Sequence, residues 1–107
     1  MLGIHQKYCK ETFYNGRLDN FEAVYGDDFN FAYDVIDVLG SEEPDRRAML
    51  WCGSDGSERT FTFGDIKKYT SMAANVLSAQ GIKRGDRVML VLKRHYQFWF
   101  TIHYILF

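Results

Sequence analysis

The thirteen residues from His95 to Phe107 (HYQFWFTIHYILF) constrain this chain more than any other stretch. They read as a helix that is apolar nearly all the way round. A helix without a polar face belongs inside a larger structure or in a membrane, not at the rim of a small domain. Phe98, Trp99, Phe100, Ile102, Tyr104, Ile105, Leu106 and Phe107 all require cover. At about 1.5–3 kcal/mol per fully buried large side chain, that cover is worth on the order of 10 kcal/mol. A whole domain is stable by only about 5–15 kcal/mol. No glycine or proline follows to end the helix. The expectation is therefore the front piece of something larger, with self-association through the exposed apolar C-terminal helix when the piece stands alone. Thirteen residues fall short of the roughly 20 that cross a bilayer, so no membrane partner is expected. A membrane-attached domain is the minor alternative.

Charge narrows the partners further. The net charge is −1, which gives no overall attraction to nucleic acid, and none is expected as a partner. The halves differ: residues 1–53 carry −5 and residues 54–107 carry +4. The basic cluster Lys83, Arg84, Arg87, Lys93 and Arg94 reads as a solvated turn flanking a strand. Cys9 and Cys52 belong to no metal or redox spacing, so they read as two free thiols in a reducing compartment. With no apolar run of signal-peptide length at the start, the cytoplasm is the expected location.

The chain is long enough for one domain. Residues 4–12 and 17–25 read as short helices joined at the turn dipeptide Asn15-Gly16. Asn30 is the expected N-cap of a helix to about Glu43, with Ala32, Val35, Ile36 and Leu39 on its apolar stripe and Pro44 closing it. Ala48–Cys52 and Arg59–Thr62 read as strands joined by Gly53-Ser54-Asp55-Gly56-Ser57, a hairpin turn. Thr62 and Asp65 form a variant capping box for a helix to about Gln80, buried along Ile66, Tyr69, Ala73, Val76 and Leu77. Gly81 suits the left-handed position after it. Arg87–Leu92 (RVMLVL) is a nearly continuous apolar run, which predicts a strand buried on both faces of a parallel sheet. Strand, helix and strand make a βαβ crossover. The predicted fold class is α/β: N-terminal helices, a β-hairpin and a βαβ crossover, an incomplete piece of a larger domain. Residues 1–28 form a helical lead-in and residues 29–107 the domain's start.

The chemistry that spacing can justify is slight. The Gly53–Arg59 loop is the Gly/Ser-rich one, yet it joins two strands and carries Asp55 and Glu58, unlike a phosphate cradle opening into a helix. His95, Trp99 and His103 share one helical stripe, but eight residues at ~1.5 Å each separate the two imidazoles by about 12 Å, too far for one metal ion. His95 reads as a surface or cap residue, and His103 as a hydrogen-bonded, partly buried histidine. Asp27-Asp28 and Glu42-Glu43 read as solvated charge. No catalytic, cofactor-binding or metal-ligating residue is assigned.

The order of segments carries more. Phe29–Asp37 (FNFAYDVID), Glu43–Ala48 (EPDRRA) with its strand into Trp51, Glu58–Ile66 (ERTFTFGDI), Ala73–Leu77 (AANVL), Gly81–Val88 (GIKRGDRV) and Leu92-Lys93-Arg94 leading to Phe98-Trp99 follow one another. This run resembles the start of the N-terminal adenylation (AMP-binding) domain of the AMP-dependent synthetase and ligase family, the adenylate-forming acyl-CoA synthetases. It is most similar to their acetyl-CoA-synthetase-like and medium-chain acyl-CoA ligase members. The resemblance implies a ligase that activates a carboxylic acid with Mg-ATP to an acyl-adenylate and transfers the acyl group to coenzyme A. The family's Ser/Thr/Gly-rich phosphate loop, ribose-binding Asp and C-terminal Lys have no counterpart here, so no functional residue carries over. The chain by itself is expected to be inactive and to bind none of these cofactors. Ile66, Tyr69, Ala73, Val88, Leu90 and Trp99 are expected to serve packing. A free-standing, non-catalytic interaction protein on the same scaffold is the alternative.

Overall fold

A computed structural model describes residues 3–105. The expected apolar positions Leu106 and Phe107 lie outside the described residues. In chain order the elements are α1 (Ile4–Tyr8), β1 (Cys9–Tyr14), β2 (Arg17–Ala23), α2, β3 (Arg47–Cys52), β4 (Glu58–Thr62), α3 (Phe63–Ala79) and α4 (Gln97–Ile105); α2 runs as a π-helix over Ala32–Asp37 and an α-helix over Val38–Glu42. The strands form two separate antiparallel pairs, β1 with β2 and β3 with β4.

The helical lead-in is corrected. One turn of helix, α1, survives, and the rest of residues 4–25 is a hairpin with Cys9 opposite Ala23 and Tyr14 opposite Arg17. Asn15 and Gly16 take φ angles of 49° and 74°, the paired left-handed conformation of the turn that matches strand twist. That chemistry outranks the weak helical stripe read there. The ribbon is exposed on both faces, Phe13 and Phe21 included. At its base Tyr8 and Tyr25 pack on Phe29, with ring centroids 4.8 and 5.8 Å away.

Asn30 caps α2 as expected: its Oδ1 accepts from the Ala32 backbone N–H at 2.9 Å, while the Asp34 carboxylate accepts from the Asn30 N–H at 2.7 Å. Ala32, Ile36 and Leu39 are buried. The π-helical stretch rotates the later turns relative to a regular helix. It brings buried Gly40 against α3, so close that a Cβ there would lie 2.7 Å from Lys67 Cβ.

The second hairpin and its helix follow the sequence reading. β3 and β4 pair from Arg47 opposite Thr62 to Cys52 opposite Glu58, with a bulge near Ala48. Thr62 N–H donates to Asp65 Oδ2 at 3.0 Å and Asp65 N–H to Thr62 Oγ1 at 3.2 Å, a complete capping box. At the other end Ile82 N–H donates to the Leu77 carbonyl and Gly81 N–H to that of Ser78, with Gly81 at φ 87°. That is a Schellman termination. On α3, Ile66 is buried but Val76 is exposed, against the expected stripe.

The βαβ crossover does not close. Residues 87–92 are not part of a strand, and no backbone hydrogen bond joins them to another described residue. Val88 and Leu90 are half-buried, whereas Met89 and Val91 are 87% and 82% exposed. The apolar run states a demand for two covered faces; a strand also requires a neighbouring backbone, and among the described residues none pairs with it.

The core is Ile36, Phe61, Ile66 and Phe100, ringed by Ala48, Met49, Trp51, Phe63, Tyr69 and Tyr96. Phe61 sits at its centre, with ring centroids of Tyr96, Phe100 and Tyr69 at 5.0, 5.4 and 6.3 Å. Helix α4 joins this core through Phe100 and stacks it on Tyr69 at 4.9 Å.

Candidate functional site

One concave surface among the described residues lies where the β3–β4 hairpin meets α4. A wide cleft of about 1050 Å³ opens between the hairpin's end, at Trp51, Cys52 and Gly53, and the segment Leu92–His95 with Trp99. Two contacts hold its walls together. Trp51 Nε1 donates to the Arg94 carbonyl at 2.9 Å. The Arg59 guanidinium donates to the Tyr96 hydroxyl at 2.8 Å and lies 4.9 Å from the Tyr96 and Phe61 ring centroids, a cation–π clasp. Sequence reading missed this clasp, because its partners stand 37 residues apart.

Behind the cleft is a second, apolar pocket of about 380 Å³, lined by Ile36, Met49, Trp51, Phe63, Trp99 and His103 among others. His103 is 8% exposed, and its Nδ1 is buried with no hydrogen-bond partner. The expectation of a hydrogen-bonded histidine is thereby corrected: α4 turns the imidazole toward Phe31, 5.8 Å away ring to ring, and apolar neighbours. Burial pushes its pKa below the ordinary 6.5, because desolvation penalises the charged form. His95 lies exposed just before α4, its carbonyl accepting from Phe98 N–H at 3.2 Å. Trp99 is half-exposed, so its expected packing role is only partly met. Among the described residues no three His, Cys, Asp or Glu side chains converge as a metal site would require.

The loop weighed as a phosphate cradle folds onto its own carboxylate. Asp55 Oδ1 accepts from Ser57 Oγ at 2.6 Å and from Ser57 N–H at 3.0 Å, and Gly53 N–H is spent on the Ser57 carbonyl at 2.7 Å. The hydroxyl contact first, and the backbone contact after it, hold the Asp55 carboxyl below the usual carboxylate range. The Gly53, Gly56 and Ser57 donors are turned inward and the loop presents the Asp55 carboxylate, an arrangement that disfavours a nucleotide phosphate. Lys83, Arg84, Arg87, Lys93 and Arg94 are all exposed, as are Asp27, Asp28, Glu42 and Glu43; Glu43 pairs with Arg46 at 3.1 Å. Cys9 and Cys52 are free thiols. No helix among the described residues is long and apolar enough to cross a membrane.

Known proteins resolve what this geometry leaves open. The family described as AMP-binding enzyme matches residues 38–106. The mitochondrial acyl-coenzyme A synthetase ACSM5 of Rattus norvegicus is 44% identical over 80 residues, covering 69% of this chain and 14% of that protein. The acetyl-coenzyme A synthetase of Chlorobaculum tepidum is 41% identical over 64 residues, 59% of this chain and 10% of its own length. Human mitochondrial acyl-coenzyme A synthetase ACSM2A is 40% identical over 80 residues, again 69% and 14%. The chain thus spans about one-seventh or less of the length of these relatives. With more than half of its residues inside the family's match and the resemblance seen in its segment order upheld, the chain belongs to the AMP-binding enzyme family.

Proposed function

We propose that this chain is a scaffold segment of an acid–thiol ligase. In the whole enzyme a carboxylic acid is activated with Mg-ATP to an acyl-adenylate and passed to coenzyme A, while the residues described here pack rather than react. The observation that carries this reading is the family match over residues 38–106, shared with relatives named for acyl- and acetyl-coenzyme A synthesis. The inward-turned 53–57 loop and the apolar roles of Phe61, Ile66 and Phe100 support it. The chain alone is inactive on this reading. The free thiols Cys9 and Cys52 favour a reducing compartment, and the cytoplasm is the proposed one. In isolation the chain self-associates through exposed Met89 and Val91 and half-exposed Trp99. A single monomeric mass by light scattering at every concentration would remove that part of the proposal.

A chimera tests the scaffold role. Residues 38–106 replace the matching segment of an acyl-CoA synthetase relative, and thioester formation is measured beside the isolated chain. The chimera is expected to keep its rate within about tenfold, a barrier change of roughly 1.4 kcal/mol, and the isolated chain to give no acid-dependent pyrophosphate exchange. Exchange by the isolated chain, or a folded but inactive chimera, refutes the reading.

A further inference from the structure

We propose that α4 is an acid-released latch: protonation of His103 lifts this helix off Phe31, Phe61 and Tyr69 as a unit, while α2, α3 and the β3–β4 hairpin stay folded. The imidazole is buried and its Nδ1 is sealed off without a hydrogen-bond partner. A protonated imidazole carries an N–H donor on both nitrogens, so in this seat one donor of a cation would point at nothing. Burying an unpaired charge is costly, and that cost is relieved when the helix leaves. The helix is also free to leave. Residues 87–92 lead toward it without a backbone hydrogen bond to another described residue. The Trp51–Arg94 and Arg59–Tyr96 contacts fasten the chain just before the helix, which sets the pivot at its start. Beyond that pivot the described anchors are side chains: Phe100 against Phe61 and Tyr69, and His103 against Phe31.

No described group opposite can take up the charge. His103 shares an apolar wall with Ile36 of α2, residues 48–51 of β3, and Phe63 and Ile66 of α3. The charged and titratable side chains of these elements lie outside that wall or are engaged elsewhere. On α2 the Asp34 carboxylate accepts from the Asn30 N–H, and Tyr33 and Asp37 lie outside the wall. On α3 Asp65 caps its own helix, Lys67 donates to Ser41, Lys68 lies over the Tyr69 ring, and Tyr69 stacks on Phe100. Arg47 of β3 is exposed, and Arg59 of β4 is held on Tyr96. Burial is accordingly the cause of the lowered pKa of His103. With the docked pKa below the ordinary 6.5, docking is at full strength above that value and weakens as pH falls from it toward the docked one. The latch stands on this packing and does not depend on the proposed ligase role.

Amide hydrogen exchange on the dilute 107-residue chain tests it, read as protection factors so that the intrinsic pH dependence of exchange cancels. Between about pH 7.5 and about pH 5.5, protection of Thr101, Ile102 and His103 in α4 should fall about threefold to tenfold, the reach of one proton bound near pH 6.5 on release. Protection of residues 67–73 in α3 should hold constant. The carbon-bound ring protons of His103 should titrate together with that loss. His103→Phe should keep α4 protected across the range, and His95→Gln, at an exposed position, should leave the loss in place. Equal losses in α3 and α4, which signify unfolding of the whole chain, would overturn the latch. So would an α4 unmoved by pH, or a loss that survives in His103→Phe. The α3–α4 comparison and the His103 titration in the unaltered chain decide the matter even where a variant fails to fold.

Discussion

Truncating Phe61 to alanine is the sharpest probe of how this chain holds together. Phe61 is 2% exposed and contacts Tyr69, Tyr96 and Phe100, so its ring is the hub that joins the β3–β4 hairpin to α3 and α4. Removing a buried phenyl ring costs about 3–5 kcal/mol, the transfer energy of the lost atoms plus a cavity that surrounding atoms only partly fill. The Arg59 guanidinium also loses one of its two faces. Against a net stability of about 5–15 kcal/mol, F61A should lose much of its cooperative urea transition, and Phe61→Leu should report a milder loss. Trp51, edge-on to Tyr96 at 5.5 Å, supplies the fluorescence signal. The control is Phe13→Ala on the exposed β1–β2 ribbon, expected to change stability by no more than about 0.5 kcal/mol. If F61A and F13A shift the urea midpoint equally, the core has been placed in the wrong part of the molecule.

Further outcomes follow from single contacts. Gly40→Ala gains up to about 1 kcal/mol of helix propensity, but its methyl would meet Lys67 Cβ at 2.7 Å, so a net loss of about 1–2 kcal/mol is expected in urea melts. Thr62→Ala removes the capping hydroxyl of α3 and should cost about 1 kcal/mol, read as a drop of roughly 4–8 °C in melting temperature. Because burial lowers the pKa of His103, the unfolded chain binds its proton more readily than the folded one. The contribution is constant above the ordinary pKa of 6.5 and erodes as pH falls from there toward the folded value. His103→Phe should flatten that part of the stability–pH curve. Asp55 has the same sign at lower pH: its contribution, present above pH 3.8, is lost as pH falls through its depressed pKa, which an Asp55→Asn melt series checks.

What could be read in advance was whatever short-range chemistry decides. The Thr62–Asp65 box, the Gly81 termination, the Asp55-Gly56 turn and the Asn30 cap each involve groups within five residues, and all formed as expected. The lead-in failed on period: Tyr8 to Ala23 mixes apolar and polar residues loosely enough to suit two geometries, and Asn15-Gly16 was the deciding signal. The 87–92 segment failed for another reason, since its side chains say nothing of whether a second backbone lies alongside. The site was hardest. The Trp51–Arg94 and Arg59–Tyr96 contacts join residues 43 and 37 positions apart, and the orphaned Nδ1 of His103 depends on which way α4 rolls onto Phe61.

The bare ribbon from Arg87 to Leu92 has a practical consequence. Endopeptidases seize substrates as straight, unpaired chain, and here such a chain is offered between Arg87 and the Lys93-Arg94 doublet. A nick at either side would sever the tether between α3 and α4, leaving Phe100 held in its socket by side-chain contacts alone. Limited trypsin digestion should therefore cut the molecule into two pieces that stay together until denaturant parts them.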